Sequence, residues 1–386
     1  MTTRIKDLGS IITGNTPKTS ESANYESDDI CFVKPSDFAD GDVTFIKSSE
    51  FYISEFARKK SRILPPESVL VTCIGTIGKV AINQVECAFN QQINAIIPNR
   101  QRCITTYLAY AIQAKQVTMQ EMANAPVVPI LNKTQFSDIE INVPPITQQQ
   151  HIAAVLDKVS DLIALRKQQL AKLDELVKAR FVEMLGDPVT NPQNWPVHQL
   201  SDFIQFLTSG SRGWAKYFTD SGKLFITIKN VKNCKITLNS VQHINPPDNA
   251  AAQRTKVQEG DLLISITADL GRTGVVSKEI AEYGAYINQH LTCIRLDRTA
   301  LNPLYVAYYM ESSAGKAQFE AKNQVGVKAG LNFDSINSLR LIVPPMERQK
   351  KFAIFVEQTD QSRLTIQQGL DKLEMLKKAL MLQYFG

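Results

Sequence analysis

The sequence predicts mixed α/β globular segments, duplicated and alternating with two long α-helices that pair as an antiparallel coiled coil. Three observations carry that prediction. Residues 141–186 and 341–386 match at 13 of 46 positions at an offset of 200 without a gap, which marks an internal duplication. Each matched block contains Val-Pro-Pro and then runs on without another proline; Gly369 is the only glycine before the closing Gly186 and Gly386. The stretches ahead of these blocks hold short apolar runs of strand length, such as 68–71 and 262–266, bounded by turn residues.

Composition sets the class. A chain of 386 residues exceeds one ordinary core, so two or more domains are expected. Hydrophobic content of 44% with 21% charged residues is that of a soluble globular protein. The first eight residues are polar and charged with no apolar segment behind them, and no apolar run is long enough to cross a bilayer, so a cytoplasmic protein without membrane contact is expected. Six cysteines without a CxxC pair read as reduced, buried small hydrophobes. The four histidines, His151, His198, His243 and His290, stand in four separate segments, so no metal site is expected. Charge is even: residues 1–146 carry 14 Lys and Arg against 15 Asp and Glu, and residues 187–345 carry 16 against 13. With no basic arm, non-specific attraction to phosphate by this chain alone should be weak.

The elements follow in order. Residues 1–146 form the first globular segment. Residues 147–186 form the first helix, residues 187–345 the second globular segment and residues 346–386 the second helix. Tandem prolines cannot lie inside a helix but fix an extended entry just ahead of one. Each proline-free run spans roughly 55–60 Å if wholly helical. Apolar residues recur at spacings of three and four: Ile152, Val155, Val159, Leu162, Leu170, Leu173, Leu176 or Val177, Phe181 and Met184 in the first helix. In the second they fall at Phe352, Val356, Ile366, Leu370, Leu373, Leu380 and Tyr384. Such stripes suggest a coiled-coil seam, imperfect near 166–169 and Arg363, and two helices in one chain can bury each other's stripe. Fainter matches link the globular segments. Gly75-Thr-Ile-Gly78-Lys79-Val80 aligns with Gly271-Arg-Thr-Gly274-Val-Val276, and Phe89-Asn-Gln-Gln92 aligns with Ile287-Asn-Gln-His290. Tyr107-Leu-Ala-Tyr110 aligns with Tyr305-Val-Ala-Tyr308.

Catalytic signatures are missing. Asn245-Pro-Pro-Asp248 lacks the aromatic fourth residue that an amino-methyltransferase loop stacks on a flipped base. Gly75-Thr-Ile-Gly78-Lys79 has two residues between its glycines where a phosphate loop has four, and reads as a tight turn. No nucleophile elbow, zinc-protease motif or carboxylate cluster occurs. Residues suited to reading nucleic acid do occur. Ser211, Arg212, Trp214 and Lys216 mix cation, aromatic and glycine in one loop, with Asn15, Thr16 and Lys18 as its counterpart. Lys59, Lys60 and Arg62 form the densest basic run, which serves either as a phosphate contact or as a solvated face. Asn90, Gln91 and Gln92, with Asn288, Gln289 and His290, carry groups that either pair with base edges or brace a loop. Lys34 with Ser36, and Lys229 with Asn230, follow apolar runs in matching places. Thr76, Lys79 and Arg272 in the glycine turns and Lys328 near the second proline step complete the set.

Together, the paired Val-Pro-Pro steps, GTIGKVAI with FNQQINAI, and SGSRGWAKYF with VKAGLNFDSI resemble one family from end to end. That family is the specificity (S) subunits of type I restriction-modification systems (HsdS). The first half's NAPVVPILNKTQF is a looser version of NQVGVKAGLNF in the second. The resemblance implies that residues 1–146 and 187–345 are target-recognition domains entering the DNA major groove. Residues 147–186 and 346–386 would be conserved helical spacers holding two readers one helical turn or more apart, so the double-stranded DNA target is bipartite and asymmetric. It also implies a non-catalytic chain with no cofactor of its own. Two methyltransferase (M) subunits, which bind S-adenosylmethionine, would dock on it. Restriction (R) subunits, where the system has them, would add ATP- and Mg-dependent translocation and cleavage. Gln148, Lys172, Lys178, Gln349, Lys372 and Lys378 are the docking candidates on the helices. The competing reading is a DNA-binding scaffold or regulator that works without a modification partner.

Overall fold

The computed structural model describes residues 2–123, 128–323 and 330–386. The chain divides into two compact units, residues 1–169 with 366–386, and residues 170–365. Each is described by itself.

In the first unit a five-stranded sheet has the order Gly9–Thr13, Ile93–Pro98, Val69–Thr72, Val80–Asn83, Thr44–Ile46. Its central strands are buried throughout, as strands covered on both faces must be. The period of two then sorts their side chains. Val69, Val71, Val80 and Ile82 point to one core, which includes Tyr107 and Leu108 of the helix Thr105–Ala114. Leu70 and Ala81 point to another, shared with a four-stranded sheet of Tyr52–Ile53, Ile30–Val33, Cys87–Phe89 and Ile63–Leu64. The middle pair of that second sheet is parallel, Val33 opposite Phe89.

The second unit repeats the plan. Ile204–Ser209, Leu291–Leu296, Leu262–Ser265 and Thr273–Val275 form one sheet, and Phe218–Thr219, Gln242–Ile244, Lys223–Ile226 and Ala285–Ile287 the other. The last two strands are again parallel, Ile226 opposite Ile287. The hydrogen bonds correct one sequence match. Gly78 N donates to Thr72 O at 2.8 Å and Gly271 N to Ser265 O at 3.0 Å, so Gly271 is the counterpart of Gly78 rather than of Gly75. Lys79 N and Arg272 N likewise bond the hydroxyls of Thr72 and Ser265. The expected register was off by three residues because the shared Gly-x-x-Gly spacing is a coincidence: Gly274 lies inside the strand Thr273–Val275, paired with Leu263 as Ala81 pairs with Leu70.

Each globular segment closes on itself before the prolines. Thr2–Arg4 pairs antiparallel with Glu140–Asn142, and Val197–Gln199 with Arg340–Ile342. Buried tyrosines pin the closing strands: Tyr107 Oη donates to Asn142 O at 2.8 Å, and Tyr305 Oη to Ile342 O at 2.5 Å. Burial pushes the Tyr107 phenol up to about 12 and Tyr305 upward as well.

The helices run Ile146–Leu185 and Met346–Phe385, 40 residues each and about 60 Å long. Both start on the residue after the second proline, whose carbonyl accepts the first amides: Gln149 N to Pro145 O at 3.0 Å, Arg348 N to Pro345 O at 2.8 Å. Gln349 is not a docking residue. Like Gln149 it is wholly buried. Its Oε1 accepts Asn302 N and its Nε2 donates to Pro344 O at 2.8 Å, as Gln149 bonds Ile104 N and Pro144 O. A buried amide left unmade here would strand two backbone groups, so this glutamine welds each globular segment to its helix.

The two helices run antiparallel. In the first unit Ile152, Ala153 and Leu156 share a core with Leu380, Met381, Tyr384 and Phe385. In the second, Val177, Phe181 and Leu185 share one with Phe352 and Val356. Leu162 is exposed, however, and Ile163 is buried in its place. The stripe Ile152, Leu156, Val159, Ile163 keeps the four-three-four spacing, and Leu162 lies about 100° round from it. All six cysteines are free and buried. Burial pushes the Cys73 thiol up to about 11 and Cys87 and Cys103 up to about 12, so they are inert packing residues. No helix is long and apolar enough to cross a membrane, and no described group of His, Cys, Asp and Glu could hold a metal.

Candidate nucleic-acid interface

Strand topology gathers the polar loops of each unit on one sheet edge. In the first unit the parallel strands Ile30–Val33 and Cys87–Phe89 end together, and Asn90 N donates to Val33 O at 3.1 Å. The loop from Gly14 joins them: Gly14 N bonds Ile93 O and Asn15 N bonds Phe89 O, both at 3.0 Å. No side chain fits at Gly14, where a Cβ would lie 2.1 Å from Asn90 O. Asn15 then stitches in the basic run, donating to Lys60 O at 2.8 Å and accepting Arg62 N at 2.9 Å, while Thr16 Oγ1 donates to Gln91 Oε1 at 2.6 Å. The turn after Val69–Thr72 is held there by Cys73 N to Gln92 O at 2.7 Å. Thr16, Lys18, Ser36, Lys59, Lys60, Arg62, Thr76 and Gln91 are exposed on this edge.

Several candidates are occupied within the protein. Asn90 is buried, donating to Gln92 Oε1 at 2.8 Å and accepting Gln92 N, so it braces its loop and is not available to a base. Asn15 and Gln92 do similar work from half-buried positions. Lys34 lies over the Phe51 ring at 3.1 Å, Lys60 pairs with Glu21 at 2.6 Å, and Lys79 pairs with Asp40 at 2.6 Å.

The second unit builds the same edge. Asn288 N donates to Ile226 O at 3.2 Å, Gly210 N to Leu291 O at 3.1 Å, and Ser211 bridges to Asn288. A Cβ on Gly210 would fall 2.0 Å from Asn288 O. Arg254 gathers this loop: its guanidinium donates to Ser209 O at 3.0 Å, to Ser211 Oγ at 3.2 Å and to Thr208 Oγ1. Arg62 Nη1 donates in the same way to Thr13 O, the residue before the other glycine. Arg254 was not singled out in the sequence. It sits in a short α-helix, Ala250–Thr255, where the first unit has a 3-10 helix, so no spacing links it to Arg62.

Arg212, Lys216 and Lys229 are exposed here, with Gln289, His290, Ser211 and Arg272 half-buried. His290 Nδ1 meets Thr267 Oγ1 at 2.6 Å and Arg272 pairs with Asp269. Three expectations fail. Trp214 is 6% exposed, packed between Tyr217, Phe225 and Tyr286 at ring distances of 5.4–5.9 Å, so it cannot stack on a base. Asn230 is buried as a turn brace, accepting Thr227 N at 3.0 Å and donating to Thr237 O at 3.1 Å. Asn288 is buried and accepts His290 N at 3.2 Å. Lys328 lies outside the described residues.

The helices present a second kind of surface. Lys172, Leu176 and Ala179 form one exposed stripe, opposite the buried Val177, Phe181 and Leu185. The second helix repeats the identical residues Lys372, Leu376 and Ala379, also exposed. Leu176 and Leu376 are each 47% exposed, and Val182 and Leu382 are exposed one turn and a half further on. Gln148, Lys178 and Lys378 are exposed as expected.

Comparison with known proteins gives this arrangement its family. The family model described as the type I restriction modification DNA specificity domain matches residues 1–175 and again residues 192–375. The MjaIX specificity subunit of Methanocaldococcus jannaschii is 29% identical over 251 residues, 59% of this chain and 57% of that protein, so the match spans less than two thirds of that relative. The EcoKI specificity subunit of Escherichia coli is 20% identical over 376 residues, 92% of this chain and 80% of its own. A crystal structure of the S subunit of a type I restriction-modification system from M. genitalium shares the fold, with a TM-score of 0.60 at 11% identity over 100% of this chain and 96% of that one. The chain therefore belongs to the type I restriction-modification DNA specificity family and carries the specificity domain twice.

Proposed function

We propose that the chain is the non-catalytic, sequence-reading subunit of a type I restriction-modification complex. Residues 1–146 and 187–345 are its two target-recognition domains, and residues 147–186 and 346–386 its spacers. One observation carries the reading: each unit repeats the same frame yet exposes different side chains on it. The frame is the parallel strand pair, the glycine without room for a side chain, and the arginine on the preceding carbonyl. The first edge offers Thr16, Lys18, Lys59 and Gln91; the second offers Arg212, Lys216 and Lys229, with Gln289 half-buried beside them. Cations of this kind hold phosphates and bond guanine, amides bond adenine, and a shared frame with different tips reads two different half-sites.

The exposed Lys-Leu-Ala stripes support docking of one methyltransferase subunit on each. An apolar residue half exposed at the same place in both repeats has no role in either core, and it suits a helix-packing partner. S-adenosylmethionine belongs to those partners, and ATP with Mg to restriction subunits that join them. Such a complex works on chromosomal DNA in the cytoplasm.

The test is a methylome. This chain is co-expressed with the methyltransferase encoded beside it in a host free of adenine methylation, and modified bases are mapped by long-read sequencing. A new methyladenine signal at a split, asymmetric motif is expected. A stable purified complex that leaves the genome unmethylated would favour a scaffold or regulator instead.

A further inference from the structure

In the second unit, the end of the first long helix bounds a cavity of about 750 Å³. Val177, Phe181 and Tyr308 form its apolar floor, and Lys178, Lys232 and Lys316 stand on its rim. Arg363 and Lys235 on the same wall are taken by Asp174 and Asp360. Lys178, Lys232 and Lys316 are exposed and have no ion-pair partner among the described residues.

The first unit shows what belongs there. The repeat places Lys377 where the second unit has Val177. Thr44 pairs parallel with Ala81, and Cys234 bridges parallel to Gly274, so Asp42 is the counterpart of Lys232. In the first unit Lys377 Nζ bonds Asp42 Oδ1 and lies 5.8 Å from the centre of the Tyr110 ring, the counterpart of Tyr308. Helix base and loop acid thus complete each other. In the second unit the helix position is neutral and the loop position is basic, and the carboxylates that line the cavity are engaged elsewhere: Asp174 with Arg363, Asp187 with the amides of Val189 and Thr190, and Glu311 with the amides of Cys234 and Thr273. The three rim lysines are left without an ion-pair partner among the described residues.

We infer that this cavity is the socket for an acidic segment of the methyltransferase subunit docked on the same helix. A carboxylate meets Lys232 and Lys316, and a neighbouring apolar side chain covers Val182, which lines the cavity and is exposed. The inference rests on the docking role proposed above. Lys178 and Val182 line the cavity within about two turns of Lys172 and Leu176, so a partner on that stripe reaches it without a long excursion. At the other docking site the corresponding place is filled by the Lys377–Asp42 pair, so the two bound copies are held unequally.

The experiment is native mass spectrometry of the full chain titrated with the methyltransferase encoded beside it. Wild type is expected to carry two copies. K232E/K316E should hold one copy at concentrations where wild type holds two, the second binding about 30-fold or more weakly. V177K/K232D, which rebuilds the first unit's internal pair inside the cavity, should also hold one copy with the thermal midpoint of wild type. Two copies bound with wild-type affinity by both variants would overturn the inference. So would a small anion released from the purified complex on denaturation while both variants keep two copies, because the cavity would then hold that ligand. A wild-type chain that binds no copy refutes the docking role itself, a different result from selective loss of the second copy.

Discussion

Gly14 and Gly210 leave the reading loops no freedom to drift. Each sits against the carbonyls of a facing strand end, and an added methyl would fall within 2.1 Å of backbone oxygen. Gly210→Ala should push the loop carrying Ser211 and Arg212 off its strand while the first unit keeps its geometry. Overpacking of this kind costs about 1–3 kcal/mol, so binding through the second half-site should weaken roughly 5- to 150-fold. Affinity for duplexes mutated in one half-site at a time checks it; equal weakening at both half-sites would show a general defect. The residue scale is also where the sequence was least legible. Asn90 and Asn288 allowed a base-reading and a bracing role, and the depth of their loops decides for bracing. Trp214 looked like a stacking platform because its loop is polar. Its neighbours Phe225 and Tyr286 come from strands whose pairing is not written in the loop.

At the scale of elements the helices were the most legible part. Their length follows from the absence of proline, and their starts from the tandem prolines that cap them. What could not be seen was which stripe would be shared, since Leu162 and Ile163 are equally apolar and only the partner helix chooses between them. Gly369 offers a direct check on helix continuity. It lies inside Met346–Phe385, and a methyl added there would meet only Arg166 Nε, at 3.8 Å. Gly369→Ala should therefore stabilise the protein by about 0.5–1 kcal/mol, because alanine gives up less backbone entropy on entering a helix. Denaturant unfolding measures this, and a loss of stability would mean that the helix needs flexibility there. The glutamines at 149 and 349 show the opposite failure. An amide after a proline step looks solvent-facing, yet both are among the most buried polar side chains.

For the whole molecule the duplication has a thermodynamic meaning. A chain ended after Gly186 would keep residues 1–169 but lose Leu380, Met381, Tyr384 and Phe385 from the first core. The repeat puts Phe181, Met184 and Leu185 of another copy at the places of Met381, Tyr384 and Phe385. The truncated chain should therefore dimerise and, with the methyltransferase, mark a symmetric site built from the first half-site twice. Light scattering and methylome mapping test this together; a monomer that still methylates the original asymmetric site would contradict it. The duplication was legible because the helices align without a gap. The counterpart of Asp42 was not, because insertions separate it from Lys232 and no residue identity survives between them.

The small ribbons that close each globular segment set the terms on which the protein can change. Thr2–Arg4 lies beside Glu140–Asn142, and Val197–Gln199 beside Arg340–Ile342, so the two ends of each insert are neighbouring strands about 4.8 Å apart. Everything between such joints can be exchanged as a single cassette while the helix that follows keeps its footing on the glutamine and the prolines. Genetic exchange in the stretches that flank an insert thus trades one complete reader for another in a single event, and a lineage can acquire a new target without rebuilding the rest.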